Sequence, residues 1–144
     1  MELLCPAGNK ESLIAAINSG ADAIYLSGKK FGARAFATNF SNEELKEAIR
    51  IGKIYGVKIY VTMNTLIKEN EIDEFLSQVE FLYSNGVDAI LMQDFGMICL
   101  CLKKYPNLEI HASTQAHNSS LQGIDFLYKL GVKRVVLPRE MSLD

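Results

Sequence analysis

The chain has 144 residues, 49% of them hydrophobic, and its 15 basic and 17 acidic residues give a formal net charge of −2. Such a chain can bury a sizeable core as one domain or part of a larger one. Its balanced charge gives no bulk argument for nucleic acid, although a local basic patch stays open. No apolar run approaches membrane-spanning length, and residues 1–4 are predicted to enter a strand without a signal peptide. The three cysteines, an odd number, argue against a disulfide framework. We therefore expect a cytoplasmic protein with no membrane partner.

A short pattern that occurs four times predicts the fold. A glycine followed by a short apolar run stands at residues 20–25, 56–61, 86–91 and 131–136. Each glycine can end a helix in the left-handed conformation, and each follows an amphipathic segment. The repeated unit of helix, glycine and buried strand is typical of a parallel sheet wrapped by helices. We therefore predict an α/β fold of the parallel (β/α) TIM-barrel type, with its chemistry at the carboxyl ends of the strands.

In chain order, the pattern predicts six strands, at residues 2–5, 23–26, 57–62, 87–92, 108–112 and 134–137. Five amphipathic helices separate them. Their predicted inward-facing residues are Leu13, Ile14 and Ile17; Leu45, Ala48 and Ile49; Ile72, Phe75, Leu76, Val79 and Leu82; Ile98, Cys101 and Leu102; and Leu121, Ile124, Leu127 and Leu130. Asn9 and Ser41 have the spacing of helix N-caps. The loop of residues 27–40 is the longest polar connection.

The last residues resemble the start of a sixth helix, with Ser142 as its N-cap. An eight-fold barrel needs eight such units. We therefore predict that residues 1–144 are the N-terminal part of a (β/α)8-type barrel, truncated where its sixth helix begins. A complete open α/β sheet is the alternative. An unclosed parallel sheet exposes edges and apolar faces, which predicts self-association of the incomplete barrel.

Six sequence blocks carry a resemblance to a known family. They are ELLCPAGN at residues 2–9, GADAIYL at 20–26, FGARAF at 31–36, NTL at 64–66, HASTQA at 111–116 and REMS at 139–142. Together they resemble the N-terminal half of the collagenase-like peptidase family of unknown catalytic type, in order and over essentially the whole chain. The FGARAF block is closer to the RNA-modifying and peptidase-labelled members than to the ubiquinone branch, since residues 27–40 contain no cysteine.

The resemblance implies several activities. Members are labelled as peptidases (hydrolases), some linked to collagen degradation, and others act in oxygen-independent hydroxylation of tRNA, ribosomal RNA or ubiquinone precursors. For those members prephenate is the implied oxygen donor, and an iron–sulfur cluster is implied through cysteines that would lie beyond Asp144. We predict RNA hydroxylation by the full-length protein, with RNA or a small carboxylate such as prephenate as partner. The alternatives are a genuine peptidase acting on collagen-like substrates and a fragment without catalytic activity of its own.

Polar residues at the predicted strand ends are the candidate site. We predict catalytic roles for His111, Ser113, Gln115 and Glu140, and substrate binding by Arg34, Asn64, Asp94 and Arg139. In a barrel these strand ends converge on one mouth, and the planar guanidinium of an arginine suits a carboxylate or a phosphate. Other readings stay open: helix caps at Asn64 and Asp94, and a surface ion pair between Arg139 and Glu140.

His111 and Ser113 alternate along the fifth strand, so both can face the barrel axis while Ile110 and Ala112 face the helices. His111 could act on a ligand or could be a hydrogen-bonded core residue. Lys29 and Lys30 fit a solvated loop better than a binding surface. Cys99 and Cys101 diverge on one helix, and the sequence has no HExxH, P-loop or GxGxxG motif, so we predict no metal site within the chain.

Overall fold

The computed structural model describes residues 1–34 and 39–142. In that part of the chain six parallel strands form one sheet in sequential order, curled into a half-barrel with five helices on its outer face. The strands are β1 Leu4–Pro6, β2 Ala23–Ser27, β3 Lys58–Met63, β4 Ala89–Met92, β5 Glu109–Ala112 and β6 Arg134–Val135. The helices are α1 Lys10–Asn18, α2 Asn42–Tyr55, α3 Ile72–Ser84, α4 Phe95–Lys104 and α5 Leu121–Leu130. The predicted fold class is confirmed.

The sheet separates two apolar layers. The larger one lies between the sheet and the helices and contains Ile110 and Ala112 of β5, both fully buried. The smaller one lies on the concave face and contains Tyr60. The ring of His111 packs edge-on against Tyr60, with 4.8 Å between the ring centroids. The predicted alternation along β5 is therefore confirmed, since neighbouring residues of a strand face opposite sides of the sheet.

Local sequence signals set most of the helix ends. Asn9 and Ser41 cap α1 and α2 as predicted, each side chain accepting a hydrogen bond from the backbone N–H three residues on. The four repeated glycines all have positive φ, from 71° to 110°. A residue with a Cβ rarely adopts that conformation, so glycine allows the chain to leave each helix and enter the next strand.

Four strands, β1, β3, β4 and β5, begin one or two residues later than predicted. For the last three, the N–H groups of Val57, Val87 and Leu108 donate to carbonyls of the preceding segment, at Gly52, Leu82 and Tyr105 respectively. These three residues belong to the turns that follow the helices and do not join the sheet ladder. The two short 3-10 helices, Glu69–Glu71 and Thr114–Ala116, were also not predicted.

One predicted inward-facing residue is wrong. Leu121 is 76% exposed, whereas Leu127 of the same helix is fully buried. Leu121 is the first residue of α5, and in the described part of the chain α5 packs on β6 and approaches α4 through Phe126 and Phe95, whose ring centroids are 6.4 Å apart. Leu121 lies on the other flank of the helix, which these elements do not cover. Among the helices described, none is both long and apolar enough to cross a membrane.

A charged contact spans the concave face at the amino ends of the strands. Arg134 of β6 donates to the carboxylate of Glu2, just before β1, at 2.5 Å, and the Tyr60 hydroxyl donates to the same carboxylate at 3.1 Å. The hydrogen bond from Arg134 lowers the pKa of Glu2, and burial raises the pKa of Tyr60 to about 12. The first and last strands of the sheet are therefore linked across its interior, as a curled sheet allows and a flat one does not.

Candidate functional site

The carboxyl ends of the strands open into one cavity of about 590 Å³. Its wall includes the ends of β1, β2, β3, β5 and β6 and the loop after β2. Six of the eight residues predicted for the site line it: Arg34, Asn64, Ser113, Gln115, Arg139 and Glu140. The structure therefore brings together residues that are up to 106 positions apart, from 34 to 140. Their individual roles in binding and catalysis stay predictions.

Two hydrogen bonds join the loop after β2 to the segment after β3, and a third lies within the loop. The N–H of Ala33 donates to Oδ1 of Asn64 at 3.0 Å, and the Thr65 hydroxyl donates to the carbonyl of Phe31 at 3.3 Å. Nδ2 of Asn39 donates to the carbonyl of Arg34 at 3.0 Å. These bonds fix the backbone on both sides of the Arg34 side chain, which lines the cavity.

Asn64 also connects the loop to β5. Its Nδ2 donates to Oγ of Ser113 at 3.0 Å, and the N–H of Gln115 donates to the same Oγ at 3.3 Å. Ser113 is 3% exposed and caps the short helix Thr114–Ala116. Three predicted site residues therefore form one hydrogen-bonded group that spans β3, β5 and the loop after β2.

Asp94 does not line the cavity. One carboxylate oxygen accepts a hydrogen bond from the N–H of Met97 at 3.1 Å, and the other accepts from the N–H of Ile67 at 3.2 Å. Asp94 therefore caps α4, which was the alternative reading, and also anchors the segment after β3. Its predicted part in substrate binding stays a prediction.

His111 lies on the concave face below the cavity rather than in its wall. The side chain is 2% exposed, and its Nε2 lies 3.5 Å from Oε2 of Glu109, toward the amino ends of the strands. Burial, followed by the positive charge of Arg134, lowers the pKa of His111, so the imidazole is neutral at neutral pH. The two readings of His111, catalytic residue and hydrogen-bonded core residue, both stay predictions.

Six further polar residues line the cavity without having been predicted: Tyr25, Ser27, Asn39, Thr62, Thr114 and His117. Tyr25 and Thr62 could have been found by counting alternate residues along β2 and β3, because one face of each strand points to the axis. Asn39 and His117 lie in irregular segments, where periodicity gives no signal. His117 has a φ of 49°, a left-handed conformation at the end of a 3-10 helix.

The basic residues of the loop after β2 divide into two groups. Arg34 lines the cavity, whereas Lys29 and Lys30 are exposed outside its wall. Lys30 forms an ion pair with Glu74 of α3, and the neighbouring Phe31 packs edge-on against Phe75. The lysines therefore belong to the solvated outer side of the loop, as the sequence favours. Phe36 of the FGARAF block lies outside the described residues.

The cysteines do not fit the ligand set of an iron–sulfur cluster. Cys99 is exposed and Cys101 is fully buried on the same helix, and Cys5 packs against the core from β1. Burial raises the pKa of the Cys101 thiol to about 12, which disfavours the thiolate that a metal requires. Within residues 1–34 and 39–142, no group of three or more metal-ligating side chains converges.

A parallel half-barrel with a polar cavity at the carboxyl ends of its strands defines a protein of the (β/α)-barrel class. Residues 8–144 match the model of peptidase family U32, and the chain belongs to that family. The resemblance drawn from the sequence blocks is thereby confirmed. The solved structure of the U32 peptidase Mk0906 has the same fold, with a TM-score of 0.76 at 13% identity, covering 95% of this chain and 58% of that one.

Relatives with different names cover the whole chain. It is 40% identical over 141 residues to the tRNA hydroxylation protein P1 of Bacillus subtilis (strain 168), covering 98% of this chain and 33% of that protein. It is 39% identical over 144 residues to the 23S rRNA 5-hydroxycytidine C2501 synthase of Escherichia coli (strain K12), covering 100% and 21%. A collagenase of Porphyromonas gingivalis (strain ATCC BAA-308 / W83) is 34% identical over 148 residues, covering 99% and 34%. The chain thus spans about a third or less of the length of these relatives.

Proposed function

We propose that the full-length protein hydroxylates a base of tRNA or ribosomal RNA, and that the cavity of this chain binds the small carboxylate that supplies the oxygen, with prephenate as the candidate. The observation that carries the proposal is a cavity with two guanidinium groups in a chain 40% and 39% identical to a tRNA and an rRNA hydroxylation protein. Arg34 and Arg139 line that cavity, and among the described residues neither forms an ion pair.

The chemistry of these groups supports an anionic ligand. A guanidinium presents parallel N–H donors that match the two oxygens of a carboxylate, and its charge is permanent. An arginine without an internal carboxylate partner keeps this capacity for a ligand. The iron–sulfur cluster that the family resemblance implies would take its ligands from cysteines beyond Asp144, because Cys5, Cys99 and Cys101 do not converge.

Proteolysis of collagen-like substrates is the second candidate, and the name of the collagenase relative favours it. A serine peptidase needs a base that activates its nucleophile. In the described structure the Ser113 hydroxyl accepts hydrogen bonds from Asn64 and from the backbone N–H of Gln115, whereas Nε2 of His111 lies 3.5 Å from Glu109. These residues therefore give no geometric support to a Ser113–His111 nucleophile pair.

The two candidates are separated by nucleoside mass spectrometry. The full-length protein is expressed in a bacterial strain that lacks its own tRNA and rRNA hydroxylation proteins, and hydroxylated uridine and cytidine are measured in total RNA. We expect one of them to return with the wild-type protein and to decrease strongly with Arg34→Ala or Arg139→Ala. Arg50→Ala is the matched control, since Arg50 is an exposed arginine on α2 that pairs with Glu47.

Unchanged RNA in cells that contain stable, soluble protein would contradict the proposal. Cleavage of a gelatin peptide that stays constant through repeated purification would then favour the peptidase. A peptidase activity lost on purification, together with restored RNA hydroxylation, would support the hydroxylation proposal.

A further inference from the structure

The group of hydrogen bonds around Asn64 has a fixed direction. A backbone N–H can only donate, so the N–H of Ala33 identifies the Asn64 atom 3.0 Å away as the oxygen Oδ1. The other end of the same amide is then Nδ2, which can only donate, and it lies 3.0 Å from Oγ of Ser113. The amide orientation of Asn64 is thus set by a backbone group in the loop after β2.

The same reasoning applies to Ser113. Its Oγ accepts from Nδ2 of Asn64 and, at 3.3 Å, from the N–H of Gln115, a second obligate donor. A hydroxyl has two lone pairs and one proton, and both lone pairs are used. The proton is the remaining hydrogen-bonding capacity of this 3% exposed side chain, and Ser113 lines the cavity.

We infer that Ser113 is a hydrogen-bond donor to the ligand, that it recognises an oxyanion of a carboxylate or a phosphate, and that Asn64 is the positioning residue that enforces this polarity. The inference rests on the proposed function only for the identity of the ligand. Arg34 and Arg139 line the same cavity, so they and Ser113 all present hydrogen-bond donors to its ligand. A ligand group that can only donate would meet no acceptor at Ser113.

Asn64→Asp tests the direction of the hydrogen bonds that run from Ala33 through Asn64 to Ser113. The new carboxylate is nearly isosteric and can still accept from the N–H of Ala33, but its second oxygen accepts instead of donating. The Ser113 hydroxyl then donates its proton to that oxygen, and the ligand no longer receives a hydrogen bond from Ser113. The added negative charge also repels an oxyanion, so the variant is measured in the wild-type background and in the Ser113→Ala background.

The assay is binding of prephenate and, separately, of inorganic phosphate to the full-length protein by titration calorimetry. We expect Ser113→Ala to weaken the better-bound probe about ten-fold to a hundred-fold, the loss of a hydrogen bond to a charged acceptor. Asn64→Asp weakens it at least as much in the wild-type background and clearly less in the Ser113→Ala background. Ser77→Ala, which removes a hydroxyl on the outer side of α3, serves as control. Thermal unfolding of each variant checks that it is folded.

Preference for prephenate over phosphate identifies a carboxylate as the ligand chemistry, and the reverse preference identifies a phosphate. Equal effects of Asn64→Asp in both backgrounds, unchanged affinity in Ser113→Ala, or no binding of either oxyanion would each overturn the inference. These results are independent of the RNA assay. If the RNA assay showed no hydroxylation, a binding site for an oxyanion that depends on Ser113 could still be demonstrated. If the effects of Asn64→Asp and Ser113→Ala were additive, the inference would fail while the result of the RNA assay would be unaffected.

Discussion

Gly32→Ala perturbs the loop that carries Arg34, and the structure predicts the size of the effect. A Cβ at position 32 would overlap Oγ of Ser27, and it would lie 3.3 Å from Cβ of Ser27 and 3.7 Å from the carbonyl of Gly28. The Ser27 hydroxyl has to rotate and gives up its 3.2 Å hydrogen bond to that carbonyl, at a cost of about 1 kcal/mol. The close Cβ contact adds overpacking, which typically costs about 1–3 kcal/mol.

Part of this cost is offset in the unfolded state, since replacing glycine by alanine stabilises by about 0.4–1 kcal/mol where the backbone permits it. The net expectation is a decrease of about 1–4 kcal/mol in the free energy of unfolding. In a Ser27→Ala background the overlapping oxygen and its hydrogen bond are absent and only the 3.3 Å contact with the Cβ of residue 27 remains, so Gly32→Ala costs less. The coupling between the two positions is then about 1 kcal/mol, the cost of the lost hydrogen bond.

Urea unfolding followed by circular dichroism measures the four proteins of this double-mutant cycle, and oxyanion binding to the full-length protein provides the second measurement. Binding should weaken in Gly32→Ala, because Gly32 precedes the Ala33 N–H that orients Asn64, and should recover in the double variant. Gly8→Ala is the matched control: it lies in the same cavity wall, and a Cβ there meets nothing within 4 Å. Equal destabilisation by Gly32→Ala with and without Ser27 would refute the reasoning.

Three other predictions concern the fold. Arg134→Met should lower stability at pH 7 by about 1–2 kcal/mol, because the ion pair with Glu2 is only partly exposed. Since the pKa of Glu2 is lowered in the folded state, this stabilisation is present above the unfolded pKa of about 4.3 and is lost as pH falls through the folded pKa. The difference in urea midpoint between the wild type and Arg134→Met should therefore narrow below pH 4. A difference that stays constant with pH would contradict the ion pair. Gly52→Ala should destabilise despite its better helix propensity, since its Cβ would lie 2.6 Å from a backbone carbonyl, whereas Gly96→Ala, also helical, would meet only one carboxylate oxygen of Asp94 at 3.2 Å and should cost less. Equal urea midpoints for the two variants would be evidence against the packing of Gly52. Cys101, buried with a pKa raised to about 12, should react with a thiol reagent at pH 8 only after unfolding, whereas the exposed Cys99 reacts in the native protein. Rapid labelling of Cys101 itself in the native protein, located by peptide mass spectrometry, would show that α4 packs differently.

The sequence contains the sheet order and the outline of the site because both depend on local signals. A glycine followed by an apolar run marks each helix-to-strand transition, and alternation along β5 places His111 and Ser113 on the axial face. Polar residues that follow parallel strands must share one edge of the sheet. That rule was enough to place Arg34, Asn64 and Arg139 in one cavity, although 105 positions separate the first from the last.

The use of each side chain within the site depends on partners that are distant in the sequence. Asn64 and Asp94 both follow strands and both were predicted to bind substrate. The Asp94 carboxylate accepts hydrogen bonds from two backbone N–H groups of this chain. The Asn64 amide is hydrogen-bonded to Ala33 and Ser113, 31 and 49 positions away. Spacing alone does not distinguish a strand-end residue that serves a ligand from one that serves the fold.

The distribution of satisfied and unsatisfied charge makes that distinction. At the amino ends of the strands, Glu2 neutralises Arg134 and approaches Lys58 at 3.7 Å, so this polar cluster is complete without a ligand. At the carboxyl ends, Arg34 and Arg139 line a cavity without an ion-pair partner among the described residues, and Ser113 has only its proton to offer. Ser113 is buried, whereas Arg34 and Arg139 are exposed at the cavity wall, so the Ser113 hydroxyl gains more from a ligand acceptor than the two guanidinium groups do. We therefore propose that this chain binds its ligand at the carboxyl ends of the strands rather than at the amino ends.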